Sequence, residues 1–185
     1  MKTYNVETTT ATVYKIRRTD RCGGWADITI REWPGGGSID IQSDFGSYSH
    51  FWNSIGERSF RKFLASLDAG YFFGKCMGRG YDVYDPQKTE QWVRELVIER
   101  RRDGDLNKEE ARDCWDEIQF IDFDSADAYY YSASNRTSLW EMCFGEDHHS
   151  LPHATKPHPQ AEAFWEIIWP VACETWAAEE LDRAA

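Results

Sequence analysis

From Ala26 to Gln42 the chain alternates apolar and polar residues twice, with Pro34-Gly35-Gly36-Gly37 between the two runs. Ile28 and Ile30 share one face of the first run, Ile39 and Ile41 one face of the second. Period-two alternation on both sides of a Pro-Gly turn predicts a half-buried β-hairpin. A hairpin with one apolar face is marginal by itself, so it needs further strands and a layer to cover it. Two more segments supply the strands. Thr8 to Ile16 is rich in Thr and carries Val13, Tyr14 and Ile16, and it is followed by the turn Cys22-Gly23-Gly24. Ser47 to Trp52 places Tyr48, His50 and Trp52 on one face. Strands this close together in sequence form an antiparallel meander.

The period changes after Gly56. Phe60, Phe63, Leu64 and Leu67 stand at i, i+3, i+4 and i+7, the stripe of a helix, with Arg58, Arg61 and Lys62 on its other side. Asp85-Pro86 opens a second helix with a capping residue and Pro at the first position; Trp92, Val93, Leu96 and Val97 face one way, and it stops at Asp103-Gly104. Asn107 caps a third helix, whose Ala111, Cys114, Trp115, Ile118 and Ile121 fall within about 120° of arc. Residues 125–160 carry weaker signals: three Tyr within Ala128–Ser132, a segment Ser138–Phe144 that fits strand or helix, and a Pro/His loop from Leu151 to Pro159. A last helix starts near Pro159 with Phe164, Ile167, Ile168, Val171 and Thr175 on one face and Trp165, Trp169 and Trp176 on a second. Pro170 predicts a break near Trp169. The expected fold is α+β: an N-terminal antiparallel sheet of about four strands covered by about four helices. At 185 residues the chain is expected to form one domain, 1–185, sheet-rich over 1–53, helical over 54–105, and helical and acidic over 106–185.

Charge divides the chain unevenly. Residues 1–53 hold six Lys/Arg and six Asp/Glu; residues 54–105 hold ten and nine; residues 106–185 hold five and seventeen. Almost all of the formal net charge of −11 therefore lies in the last segment. Such a balance argues against direct binding of nucleic-acid phosphates, which calls for basic patches. No run of eighteen apolar residues occurs, Met1 to Val6 lacks the apolar stretch of a leader, and the five Cys show no C-x-x-C spacing. These features predict a cytoplasmic protein with reduced thiols and no membrane partner.

Motifs for catalysis or cofactors fail on inspection. Gly74-Lys75 lacks the Gly and the Ser/Thr of a phosphate loop, because Ala69 and Cys76 stand in those places. Gly74, Gly78 and Gly80 read instead as a loop. Cys143, Glu146, Asp147, His148, His149, His153 and His158 are ligand types in a short span, but at no zinc spacing, so neither metal nor cofactor is expected. Asp44, Ser47, Ser49 and His50 cluster in sequence, yet neighbours on a strand point to opposite faces. The one strong constellation is acidic. Glu109, Glu110, Asp113, Asp116, Glu117, Asp122, Asp124 and Asp127 occur with a single Arg among them. Most soluble helices intersperse both signs. A one-sign array on a rigid helix imitates the charges of DNA, spaced about 1.7 Å along the axis, and is drawn to basic nucleic-acid grooves.

The segment Ser43-Asp44-Phe45-Gly46-Ser47-Tyr48-Ser49-His50-Phe51-Trp52, then Ser59-Phe60-Arg61-Lys62-Phe63-Leu64, Leu67-Asp68, Tyr71 and Gly74-Lys75, resembles a group of functionally uncharacterised accessory proteins of tailed phages and prophages. The resemblance covers residues 28–80 and carries no catalytic residue with it. It implies a phage accessory protein made inside a bacterium, and by analogy an antagonist of restriction or CRISPR systems. The expectation is thus a non-enzymatic inhibitor that binds a basic host protein or ribonucleoprotein complex through the eight acids named above. The alternatives are an enzyme of unrecognised type, sited at the His/Cys loop or at Asp44–His50, and a phage regulatory factor that binds a host protein through aromatic surface. The irregular Cys/His spacing yields a direct prediction: metal analysis of purified protein will find far less than one zinc per chain. About one equivalent would place a site in the Cys143–His158 segment.

Overall fold

The computed structural model describes residues 4–19, 24–144 and 151–184. The Cys22-Gly23 part of the first turn and Glu146, Asp147, His148 and His149 fall outside the described residues. By its contacts the chain divides into two compact units, one of residues 1–81 and 157–185 and one of residues 82–156.

The first unit is built on a four-stranded antiparallel sheet in the order β1 (Thr12–Arg17), β2 (Trp25–Trp33), β3 (Gly36–Ser43), β4 (Gly46–Trp52). The predicted hairpin closes at Trp33↔Gly36 and pairs Ile28 with Ile41 and Ile30 with Ile39. Two Gly residues make the turn possible. Gly35 sits at φ +78°, a region open to Gly but strained for other residues. At Gly37 a Cβ would come within 2.5 Å of the Phe60 ring, so the backbone itself is packed against the covering helix. The four Ile are at most 2% exposed and form one face of the sheet. Salt bridges occupy the other, Arg17–Asp27 at 2.5 Å and Arg31–Asp40 at 3.3 Å. The sheet is therefore one-sided, as its alternation requires.

Four helices in this unit cover the apolar face: α1 (Phe60–Ala65), α2 (Ala69–Met77), and later α7 (Pro159–Ile167) and α8 (Trp169–Ala184). Ser59 caps α1 by accepting from Lys62 N at 3.2 Å, and Asp68 caps α2 by accepting from Tyr71 N at 2.8 Å. The α+β class and its sheet-plus-helices layering thus match the expectation from sequence. Three local readings do not. Gly74-Lys75 lies inside α2, not in a loop, because Phe72 and Phe73 are completely buried and drive the helix despite its Gly residues. Arg61 is 3% exposed, although the wheel of α1 put it on the polar side. Its Nε donates to Tyr14 Oη at 2.8 Å, its Nη1 donates to Glu32, and its charge lies 3.7 Å from Glu179. Third, the face of the last helices is rotated. Phe164, Ile168, Trp169, Ala172 and Trp176 are buried, while Ile167, Val171 and Thr175 are exposed. The chain breaks at Ile168 between α7 and α8, one residue from the expected place.

The second unit contains the helical hairpin α3 (Pro86–Asp103) and α4 (Lys108–Ile118), then α5 (Ala126–Ser134) and α6 (Thr137–Leu139), which runs on as a π-helical stretch Trp140–Phe144. Asp85 caps α3 on Lys88 N, with Pro86 at the first turn, and Gly104 at φ +86° ends it, as the sequence predicts. Val93, Val97, Leu106, Cys114, Ile118, Tyr129 and Leu139 are its buried centre. The segment expected to be a Pro/His loop contains a short strand, β6 (Thr155–Pro157), paired with β5 (Asp82–Tyr84). Three-residue strands are too short to show a period, which is why both escape sequence analysis. Among the described residues no helix is long and apolar enough to cross a membrane.

Phe63 tests the first core. It is 6% exposed and meets the Trp52 ring at 5.4 Å. Truncation to Ala should lower unfolding stability by about 3–5 kcal/mol in urea denaturation. A loss below about 1 kcal/mol would put the ring outside the core.

Candidate partner-binding surface

The acids are positioned mainly by α4, and α4 is a well-terminated helix. Asn107 Oδ1 accepts from Glu109 N at 2.8 Å and Glu110 N at 3.1 Å, and the Glu110 carboxylate accepts from Asn107 N at 2.7 Å. This reciprocal capping box satisfies orphan donors of the first turn. It also places Glu109 and Glu110 where the helix dipole favours negative charge. Glu117 does a different task. Its two oxygens accept from Ser138 N at 3.3 Å and Leu139 N at 2.8 Å, so it caps the start of α6.

The eight acids therefore separate by role. Glu110 and Glu117 are half-buried and tied into the fold by backbone hydrogen bonds. Asp122 accepts from Asp124 N at 2.9 Å and shapes the turn after α4. Asp127 lies in the first turn of α5, again at a favourable helix end. Asp116 faces Arg112 at 3.6 Å, with both side chains more than half exposed, so the pair contributes little. Glu109, Asp113, Asp116, Asp122, Asp124 and Asp127 are exposed. For Glu109 and Asp113 the described residues supply no cation. The second unit also exposes rings, among them Phe120 at 59% and Tyr131 at 75%.

Next to the acids on α4 lies a groove between α3 and α4 of about 780 Å3. Val97, Ile98, Ala111 and Trp115 line it, together with Arg101, Arg102, Lys108 and Arg112. Trp115, expected on the buried arc, is 38% exposed. The Arg94 guanidinium lies 5.2 Å from its ring centroid and holds it at the edge of the groove. Sequence could not have paired Arg94 with Trp115, since they stand on different helices. The adjacent Lys108, Arg112 and Trp115 on one arc of α4 were the available signal.

The residues of the enzymatic alternative are engaged elsewhere. Asp44 accepts from Trp25 N at 3.0 Å, Ser47 Oγ donates to Gln42 at 2.8 Å, and His50 stacks on Phe51. Burial, with the nearby Lys75 charge adding to it, lowers the His50 pKa. Cys143 is buried with its Sγ 3.8 Å from that of Cys114, and burial pushes the Cys114 thiol up to about 12. Burial likewise raises Cys76 to about 12 and Cys173 to about 11, so none of these three is a thiolate at neutral pH. His158 caps α7 by accepting from Gln160 N at 3.3 Å. Among the described residues no three His, Cys, Asp or Glu side chains group as metal ligands.

The division of the acids can be measured by thermal or urea unfolding. Glu117→Ala should cost about 1–2 kcal/mol, because it removes a cap from α6. Asp113→Ala should stay within about 0.5 kcal/mol and lean towards stabilisation, because it relieves like-charge contacts with Glu109 and Glu117 one turn away. Equal costs would mean that Asp113 also holds the fold.

The sequence model of the phage family Phage_phiTE_072 matches residues 4–177. No curated protein and no solved structure gives a match.

Proposed function

The chain belongs to this phage family, and from that premise we propose that it is a phage-encoded binding protein that antagonises a host nucleic-acid-targeting defence complex, of the anti-CRISPR or anti-restriction kind. It acts inside the infected bacterial cell without catalysis. Its partner is a basic host protein or ribonucleoprotein complex. The contact is the exposed acidic arc of the second unit, with Phe120 and Tyr131 as candidate anchors.

One observation carries this reading. α4 is capped at its start and buried along Cys114 and Ile118, so it is a rigid support, and it holds Glu109, Asp113 and Asp116 outward; among the described residues Asp113 has no ion-pair partner, and Glu109 has none beyond the favourable helix dipole. Like charges one turn apart destabilise a helix by about 0.2–0.5 kcal/mol per pair. Retaining such pairs where no internal contact needs them fits a surface that meets positive charge in another molecule. Charge of this kind contributes chiefly to the rate of encounter and to partner choice. Exposed rings beside it supply the apolar contact that charge alone does not.

The test is a triple reversal, Glu109→Lys, Asp113→Lys and Asp116→Lys, assayed for inhibition and association rate against candidate nuclease complexes. Association should slow by about tenfold or more at low salt and differ little from the parent near 1 M salt, where the Debye length is about 3 Å. A variant that binds and inhibits as fast as the parent at low salt would sink the acidic-face reading. The aromatic surface and the regulatory-factor alternative would then take its place.

A further inference from the structure

The groove between α3 and α4 is not used by the function proposed above, and its chemistry is opposite to that of the acidic arc. Its floor is aliphatic, from Val97, Ile98 and Ala111, and its open edge is the Trp115 ring. Arg101 and Arg102 stand on the α3 wall, and Lys108 and Arg112 stand on the α4 wall. Glu109 is the one acid among the lining residues. In a chain with a net charge of −11, four cations around one apolar groove are a local reversal of sign.

The fold explains only part of that reversal. Arg101 donates to Leu106 O at 3.1 Å and, like Arg100 and Arg102, sits in the last turn of α3, where the helix dipole favours cations. Lys108 is the reverse case. It is the first residue of α4, the end at which a cation opposes the dipole. No described residue pairs with Lys108 or Arg102. Ile98 is also exposed, at 39%, on the rim of the same groove. The groove thus keeps open an apolar surface and two cations without a described ion-pair partner, one of which, Lys108, stands against the dipole of its own helix.

We infer that this groove docks an acidic amphipathic helix of another protein. Lys108 and Arg112 are spaced i, i+4, one helical turn apart, which matches carboxylates one turn apart on a helix lying alongside. α4 itself is 11 residues long, so the groove can accommodate about 16 Å, three turns, of a partner helix. An apolar stripe at i, i+3, i+4 and i+7 would meet the floor and Trp115, and flanking Asp or Glu would meet the two basic walls. A nucleic-acid strand fits less well. The floor is aliphatic and the lining offers a single ring, Trp115, where a strand of stacked bases needs several. The site adjoins the acidic arc and shares Glu109 with it, and the variants below test the two separately.

The experiment uses the full chain and a labelled helical peptide with Leu at i, i+3, i+4 and i+7 and Glu on both flanks, followed by fluorescence anisotropy. A peptide with the same Leu pattern and Lys in place of Glu is the control. The acidic peptide should bind at least about tenfold more tightly than the basic one, and the difference should shrink as salt rises. Arg102→Glu with Lys108→Glu and Arg112→Glu should weaken the acidic peptide by about tenfold or more. Trp115→Ser should weaken it without changing charge, and circular dichroism should show both variants folded. Asp113→Asn with Asp116→Asn should not weaken peptide binding, because it removes negative charge beside the groove and frees Arg112 from Asp116, and this separates the site from the acidic arc. Equal binding of the two peptides, or binding of neither, overturns the inference. So does an oligothymidylate that binds more tightly than the acidic peptide and is lost in the same variants. Self-association by sedimentation that Arg102→Glu with Lys108→Glu and Arg112→Glu abolishes would likewise overturn it, because a second copy would then own the groove.

Discussion

The sheet of the first unit has one face that must leave water, and the means of covering it determine how the rest of that unit is built. Ile28, Ile30, Ile39 and Ile41 form a flat aliphatic surface with almost no exposure. Aromatic rings cover it: Trp52 packs on Phe60, Phe63 and Phe72, Tyr48 on Phe73 and Phe164, and Trp169 on Trp165 and Trp176. Many of these pairs are tilted or edge-on, the arrangement that ring quadrupoles favour. Large rings fill a layer with few residues, which is how short helices such as α1 and α2 suffice. The same demand explains the close approach of Gly37 to Phe60, where no side chain fits between strand and ring.

Arg61 is the exception inside that layer, and its surroundings follow from its charge. A buried guanidinium must be paired and hydrogen-bonded, or it costs several kcal/mol. Its partners arrive from β1 through Tyr14, from β2 through Glu32 and from α8 through Glu179. Tyr14 Oη closes the group by donating to Glu179 at 2.7 Å. Burial first, and the Glu179 contact second, raise the Tyr14 pKa, so it remains a protonated donor at neutral pH. Elements far apart in sequence are thus fixed to one another by a directional contact in a region otherwise held by non-directional packing. A replacement of Arg61 would take the cation from both Glu32 and Glu179, so its effect would exceed that of losing one hydrogen bond.

What could be read from sequence was whatever is local. The β2–β3 hairpin was legible because alternation and Pro34-Gly35 agree, and α3 and α4 because Asp85-Pro86, Gly104 and Asn107 are capping signals that need no tertiary context. The misread positions all depend on contacts between distant residues. The wheel of the last helix favoured Ile167 and Val171, but the burial of Trp169 and Trp176 removes more area from water, and the helix turned accordingly. Arg61 looked like surface because its three partners lie 29 to 118 residues away. At the candidate surface the acids were visible as a run, whereas their division into caps and exposed charges was not. Glu117 becomes a cap only when the chain returns at Ser138, and Trp115 becomes a groove edge only when α3 brings Arg94 to it.

That division bears on how a surface of this kind keeps its shape under its own repulsion. A helix with acids at 109, 113 and 117 carries unfavourable contacts one turn apart along one side. The capping box at Asn107 offsets them at the start, and the Glu117 bonds to the α6 backbone offset them at the end. The interior of the helix is anchored by Cys114 and Ile118, both essentially inaccessible. Each of these contributes about 1 kcal/mol or more, against a few tenths for each repulsive pair. The fold therefore wins with margin at both ends and in the middle. Glu109, Asp113 and Asp116 are consequently free to vary in charge without melting the helix that displays them. Structure and recognition are carried by different residues of one short element, which is the condition under which a charged face can be tuned to a partner without loss of stability.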